Sequence, residues 1–88
     1  MYFLLVSLLL YYLPTCPHSR QVLDYLEDHH KTVPMVNLSN NPKGKEELVK
    51  AGGEAIVPCL VIDGRALYDA DAIIKWMSEN PDTLSPAN

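Results

Sequence analysis

A short polar segment connects an apolar run to a helix start: Pro14-Thr15-Cys16-Pro17-His18-Ser19-Arg20. Pro17 suits the first position of a helix, because its missing N–H would have no helical partner there. Cys16 would then precede a helix N-terminus, where unpaired N–H groups and the positive end of the helix dipole favour thiolate over thiol. Cysteines in such positions have pKa values lowered from about 8.5 to roughly 3.5–7.5. We interpret Cys16 as a reactive nucleophile rather than an inert buried cap.

The segment before this stretch is almost entirely apolar over residues 1–13. A membrane-spanning helix needs about 20 apolar residues, and Pro14 interrupts the run well before that length. A signal peptide would need a basic first segment, whereas the first Lys or Arg is Arg20. A central strand that is covered on both faces also has a continuous apolar sequence. We therefore predict a buried strand at about residues 6–13, predict no membrane span, and assign no conformation to residues 1–5.

The remainder of the chain alternates between strand and helix patterns. Pro34 predicts that the second strand lies at a sheet edge, because proline cannot donate to a ladder. Asp63-Gly64 is typical of a tight hairpin, and Asp69 is predicted to cap the last helix. The predicted elements are strands at 6–13, 32–38, 56–62 and 65–68, and helices at 17–30, 42–51 and 70–79. This order, β-α-β-α-β-β-α, predicts an α/β fold with a four-stranded mixed sheet and flanking helices.

Length and composition indicate one small folded domain. The chain has 88 residues, of which 48% are hydrophobic and 20% charged, so we expect a single domain over 1–88 with a core at about 6–80 and a loose tail over 82–88. The net charge is −4, and the 7 Lys and Arg residues form no cluster, which argues against nucleic acid as a partner. Two cysteines are too few for a disulfide scaffold or a four-ligand zinc site, so we expect no metal.

A second informative segment is Val57-Pro58-Cys59, in which a proline interrupts an otherwise good strand. Such a proline requires an edge, a bulge or a cis peptide bond. Cys59 is either a small buried strand residue or a second reactive thiol within reach of the first. We favour the buried residue, because strand alternation turns Cys59 away from the side that Val57 faces.

Together, these segments resemble the glutaredoxins and the glutaredoxin-like N-terminal domain of glutathione transferases. The resemblance rests on Cys-Pro-x-Ser at residues 16–19, Val-Pro at residues 57–58, and the acidic turn at residues 69–71 before the last helix. It covers about residues 8–77, nearly the whole chain. It implies a thioredoxin-like fold with the element order predicted above.

The resemblance also implies a thiol–disulfide oxidoreductase that takes glutathione as co-substrate and acts on glutathionylated or disulfide substrates. Cys16 matches the family's nucleophile, and Ser19 stands where dithiol members carry a second cysteine, which implies a monothiol mechanism. Lys43, Lys45 and Arg20 are candidates for contact with the glycyl carboxylate of glutathione. The remaining glutathione contacts are expected from residues matching the family's binding segments: Val57, Pro58, Asp69, Ala70 and Asp71.

Several positions depart from the family pattern. Leu13 stands where active glutaredoxins usually carry Lys or Arg, and Ala70 stands where transferases carry a serine. The alternatives are therefore a catalytically weak or inactive binding module and, less favoured because Pro17-His18 departs from Cys-Gly-Phe-Ser, an iron–sulfur cluster carrier. His18 is either an imidazolium that stabilises the thiolate or a helix-start residue without a role. By default we expect a cytoplasmic monomer.

Overall fold

A four-stranded mixed sheet lies between helices in the part of the chain that the structure describes. The computed structural model describes residues 6–87, so residues 1–5 and Asn88 lie outside it. The strands are β1 (Leu8–Tyr12), β2 (Lys31–Thr32), β3 (Met35–Asn37), β4 (Cys59–Ile62), β5 (Arg65–Tyr68) and β6 (Ser85–Pro86). The helices are α1 (Pro17–Asp28), α2 (Pro42–Gly52) and α3 (Ala70–Glu79), and a short 3-10 turn spans Pro81–Thr83.

The strand order in the main sheet is β3-β1-β4-β5. β1 pairs in parallel with β3, where Leu10 lies opposite Met35, and antiparallel with β4, where Leu10 lies opposite Leu60. β4 and β5 form the predicted hairpin through Asp63-Gly64, both of which have the positive φ that a tight turn requires. The predicted α/β fold with a four-stranded mixed sheet is confirmed.

The central position of β1 explains the apolar N-terminal run. Leu10 faces α1 and α3, where it belongs to a buried cluster that also contains Val22 and Ile73. Tyr11 faces the opposite side, where it packs with Leu48 of α2. Because both faces of β1 are covered, successive residues are apolar rather than alternating with polar ones.

Pro34 divides the segment that the sequence predicts as one strand over residues 32–38. β3 lies at the sheet edge, as the proline predicts, and the Pro34 carbonyl accepts a hydrogen bond from the Leu10 N–H at 2.9 Å. The residues before the proline form β2, which leaves the main sheet and pairs with β6.

The C-terminal segment differs from the expectation of a loose tail over 82–88. Ser85 of β6 lies opposite Thr32 of β2, and the Ala87 N–H donates to the His30 carbonyl at 2.9 Å. Leu84 is 6% exposed and packs into the cluster beneath α1 and α3. The tail is ordered because this leucine buries an apolar side chain and β6 supplies hydrogen bonds to an otherwise unpaired strand. Within residues 6–87, none of the helices has the length and apolarity needed to cross a membrane.

Candidate active site

Cys16 lies between the carboxyl end of β1 and the first turn of α1. It occupies the N-cap position with an extended backbone (φ −85°, ψ 124°), and Pro17 begins the helix as predicted. The Cys16 N–H donates to the Leu13 carbonyl at 3.1 Å, and the Cys16 carbonyl accepts from the Arg20 N–H at 2.9 Å. The backbone is thus fixed on both sides of the cysteine, and the half-buried thiol is held at the helix N-terminus.

The surroundings of Cys16 favour its thiolate. Its pKa is lowered from the ordinary value of 9.0, first by the backbone N–H of Ser19, against the opposing effect of burial, and then by the N–H of His18 and the Ser19 hydroxyl. The neutral thiol makes no capping hydrogen bond of normal geometry. The N–H groups of the first turn therefore stabilise the thiolate more than the neutral thiol, as expected at a helix N-terminus.

Ser19 connects this turn to the end of β1. Its side chain is fully buried, and its Oγ accepts a hydrogen bond from the Leu13 N–H at 3.2 Å. The hydroxyl proton remains free to face the sulfur of Cys16, consistent with its effect on the pKa of that thiol. Ser19 therefore stabilises the first turn through its hydrogen bond with Leu13 and lowers the pKa of Cys16 through its hydroxyl.

The second part of the site is the loop that enters β4. The Val57-Pro58 peptide bond is cis, one of the three possibilities that the sequence left open for this proline. Pro58 is buried, and the pairing of β4 with its neighbours begins only at Cys59. The backbone of Val57 thus lies just beyond the sheet, where it is available to an extended ligand.

The third part of the site is the turn into α3. Asp69 precedes the helix, but its side chain makes no capping hydrogen bond, so the predicted side-chain cap is wrong. Its backbone instead adopts φ 79° and ψ 121°, a conformation that non-glycine residues rarely adopt. The first-turn N–H groups of Ala70 and Asp71 have no partner within the helix. The turn therefore presents backbone donors at the positive end of α3.

These parts meet at a cleft of about 300 Å³. It brings together residues from α1, the loop before β4 and the turn into α3, and its lining consists of His18, Ile56, Val57, Pro58, Tyr68, Asp69 and Ala70. Five of these residues are sequence-predicted. Cys16 is not in the lining, but its sulfur interacts with the backbone N–H of the lining residue His18, and Asp71 is exposed outside the lining. Sequence reasoning missed Ile56 and Tyr68, although Tyr68 directly precedes the acidic turn.

The candidate carboxylate-binding cations do not line this cleft. Arg20 is engaged along its own helix, at 3.2 Å from Asp24 and 4.0 Å from Glu27. Lys45 lines a separate groove on the outer face of α2 together with Lys50. Asp69 is therefore the one Asp, Glu, Lys or Arg residue among the seven that line the cleft.

Cys59 lies in the core and not in the cleft. It is fully buried and packs with Tyr11 and Leu48 on the α2 side of the sheet. Burial raises its pKa to about 11, although the backbone N–H of Leu67 acts in the opposite direction. A thiol with this pKa is almost entirely protonated at neutral pH and is a poor nucleophile. No group of three or more His, Cys, Asp or Glu residues within the described range is arranged to hold a metal ion.

The fold and the site are those of the thiol–disulfide oxidoreductase class: a thioredoxin-like sheet, a cysteine at the N-terminus of the first helix, and a cis-proline loop beside it. The chain belongs to the glutaredoxin family, because the family model described as Glutaredoxin matches residues 8–67. No curated protein matches the chain at a significant level.

Solved structures agree with this assignment of fold. The glutaredoxin of Archaeoglobus fulgidus is 20% identical, with a TM-score of 0.67 and coverage of 83% of this chain and 84% of that one. Buckwheat glutaredoxin, solved as a glutathione complex, is 15% identical, with a TM-score of 0.64 and coverage of 89% and 73%. An epsilon-class glutathione transferase from housefly (Musca domestica) is 28% identical, with a TM-score of 0.64. The match covers 84% of this chain and 35% of the transferase.

Proposed function

We propose that the protein is a small glutathione-linked thiol–disulfide oxidoreductase that acts by a monothiol mechanism with Cys16 as its nucleophile. The observation that carries the proposal is the position of Cys16 at the N-terminus of α1, where the N–H groups of Ser19 and His18 and the Ser19 hydroxyl lower its pKa. Its place beside the cleft bounded by the Val57-Pro58 loop and the Asp69 turn supports the same function.

In the first step, the Cys16 thiolate attacks the glutathione sulfur of a mixed disulfide. The original S–S bond breaks, a Cys16–glutathione disulfide forms, and the substrate leaves as a thiolate that takes a proton from water. In the second step, the thiolate of another glutathione attacks the glutathione sulfur bound to Cys16. This step releases glutathione disulfide and regenerates the Cys16 thiolate, so each turnover consumes one reduced glutathione, and the glutathionyl group of the substrate forms the other half of the glutathione disulfide.

The monothiol mechanism is supported by the absence of a usable second thiol. Ser19 stands three residues after Cys16, and a serine cannot form a disulfide. The other cysteine, Cys59, is fully buried with its pKa raised to about 11, so it is poorly suited to resolve a disulfide at the surface.

Glutathione would bind through backbone groups on both sides of the cleft. Its cysteinyl portion would pair with the backbone of Val57 by strand addition. Its γ-glutamyl carboxylate would accept hydrogen bonds from the first-turn N–H groups of Ala70 and Asp71, because a helix N-terminus favours an anion. The Asp69 carboxylate would then be near the γ-glutamyl ammonium. A chemistry that consumes reduced glutathione fits the cytoplasmic location that we propose with it.

The second candidate function is a glutathione-binding module with little or no turnover. The observation that favours it is that neither Lys nor Arg lines the cleft, so the lining holds no permanently charged cation to pair with the glycyl carboxylate of glutathione. Because a desolvated anion without a partner is unfavourable, this feature would weaken binding of both the substrate and the second glutathione.

The deciding experiment measures glutathione-dependent reduction of a small glutathionyl mixed disulfide by the wild-type protein, Cys16→Ser, Cys59→Ala and Ser19→Cys. The proposal predicts turnover that is lost with Cys16→Ser and retained with Cys59→Ala. Ser19→Cys, which restores a dithiol motif, should add reduction of protein disulfides by the intramolecular route. Absence of turnover in the wild-type protein, together with measurable glutathione binding by calorimetry, would instead establish the binding module.

A further inference from the structure

Tyr68 lines the cleft next to Asp69, and no step of the proposed function uses it. Its hydroxyl oxygen donates to the Glu54 carbonyl at 2.8 Å and accepts from the Glu54 N–H at 3.3 Å. We call this pair of hydrogen bonds the Tyr68–Glu54 clasp. It ties the last residue of β5 to the loop that leads from α2 into the cis-proline.

The chain leaves space for this clasp at Gly52. A side chain there would overlap the Tyr68 hydroxyl, and its Cβ would lie only 2.6 Å from the Cβ of Ala66. Non-bonded carbon atoms do not approach this closely, because the distance is far shorter than their van der Waals separation. Gly52 therefore permits the close approach of the tyrosine hydroxyl to the loop that follows.

The loop held by the clasp is otherwise exposed. Residues 54–56 are exposed, and Ile56 is 50% exposed although it is apolar. Within residues 6–87, Tyr68 is the only side chain that hydrogen-bonds to residues 53–57. Val57 lies three residues after Glu54, so the clasp restrains the Val57 backbone from about three peptide units away.

We propose that Tyr68 is a positioning residue that sets the affinity for glutathione by holding the loop so that the Val57 backbone meets the ligand. This inference rests on the proposed function, in which Val57 binds the cysteinyl portion of glutathione. The hydroxyl acts through its two hydrogen bonds to the backbone of Glu54. Its contribution is to reduce the number of conformations that the loop must lose when glutathione binds.

The test is Tyr68→Phe, which retains the ring and removes both hydrogen bonds. The KM for the glutathionyl mixed disulfide should rise about three- to tenfold, the factor that one or two neutral hydrogen bonds are worth. The kcat and the alkylation rate of Cys16 at neutral pH should not change, because the clasp does not contact the thiol. Gly52→Ala perturbs the clasp from the opposite side and should raise KM in the same direction.

Tyr25→Phe is the matched control, because it removes a tyrosine hydroxyl from α1, where the ring stacks on His29. Amide hydrogen exchange supplies a readout that is independent of turnover: the Glu54 N–H should exchange faster in Tyr68→Phe than in Tyr25→Phe. Faster exchange of the Glu54 N–H with an unchanged KM would refute the positioning role of Tyr68 and leave the proposed function intact. Equal losses of kcat and Cys16 alkylation would mean that the substitution disrupts the whole site. Absence of turnover in the wild-type protein would refute the proposed function, on which the inference depends.

Discussion

Removing the Ser19 hydroxyl separates the effects of its side chain and its backbone N–H on the pKa of Cys16. In Ser19→Ala the backbone N–H remains, and this N–H is the largest cause of the lowered pKa of Cys16. The hydroxyl is the smallest of the causes. We therefore expect the pKa of Cys16 to rise but to stay below its ordinary value. Because the thiolate fraction at neutral pH falls as the pKa rises, the alkylation rate should fall but stay above that of an ordinary thiol.

The same substitution should lower the free energy of unfolding. Ser19 is fully buried, and its Oγ accepts from the Leu13 N–H at 3.2 Å, so the alanine leaves a part-buried donor without its partner. A loss of this kind costs about 1–3 kcal/mol. In a domain of this size, each kcal/mol shifts Tm by roughly 4–8 °C. We expect Tm to fall by about 4–24 °C.

The assay is iodoacetamide alkylation of Cys16 between pH 5 and pH 9, with calorimetry on the same samples. Ser78→Ala is the control, because it removes an exposed serine hydroxyl from α3 that bonds only to the Lys75 carbonyl. If Ser19→Ala abolished the reactivity of Cys16 while the fold remained intact, the backbone N–H groups would not be the main source of thiolate stabilisation. If Ser19→Ala changed neither alkylation nor Tm, the assigned hydrogen bonds of Ser19 would be wrong.

Three further outcomes test other parts of the molecule. Leu13→Lys puts a cation where active glutaredoxins usually carry Lys or Arg, so it should lower the KM for glutathione, and an unchanged KM in steady-state kinetics would contradict this electrostatic argument. Leu84→Ala should lower the free energy of unfolding by about 2–3 kcal/mol in urea titrations, because Leu84 is 6% exposed in the core cluster, whereas a loose tail would give no change. Iodoacetamide at pH 8 should modify Cys16 in the folded protein and Cys59 only after unfolding, which peptide mass spectrometry would verify.

The main sheet and the position of Cys16 were predictable because they depend on local patterns. A run of apolar residues before Pro14 indicates a strand covered on both faces, and Pro17 fixes the start of the following helix. Asp63-Gly64 predicts its hairpin for the same reason, since the turn conformation depends on two adjacent residues. The proline in Val57-Pro58 indicates an irregularity in the sheet, because it has no N–H to donate to a neighbouring strand.

The features that the sequence did not predict depend on contacts between distant segments. The pairing of β6 with β2 involves only two residues in each strand, too few to produce a recognisable alternation. The Tyr68–Glu54 clasp joins a side chain to the backbone of a residue 14 positions away, and backbone groups leave no trace in the sequence. The positive φ of Asp69 is equally invisible, because aspartate at a helix start is expected to cap with its side chain in an extended conformation.

The two cysteines should give opposite dependences of stability on pH, because the fold favours the charged form of one and the neutral form of the other. In the unfolded chain both titrate near 9.0. The lowered pKa of Cys16 adds stability that is fully present above pH 9 and is lost as the pH falls through its folded-state pKa. The raised pKa of Cys59, about 11, adds stability that is fully present below pH 9 and is lost as the pH rises toward 11.

Urea titrations at several pH values can separate these two effects. Relative to Cys16→Ser, the wild-type protein should gain stability as the pH rises toward 9. Relative to Cys59→Ala, it should lose about 2 kcal/mol between pH 9 and pH 11, which is most of the effect of the two pKa units, at roughly 1.4 kcal/mol each, that separate the folded and unfolded thiols. Parallel pH profiles for all three proteins would mean that neither thiol is perturbed by the fold, and the argument for a reactive Cys16 would fail with them.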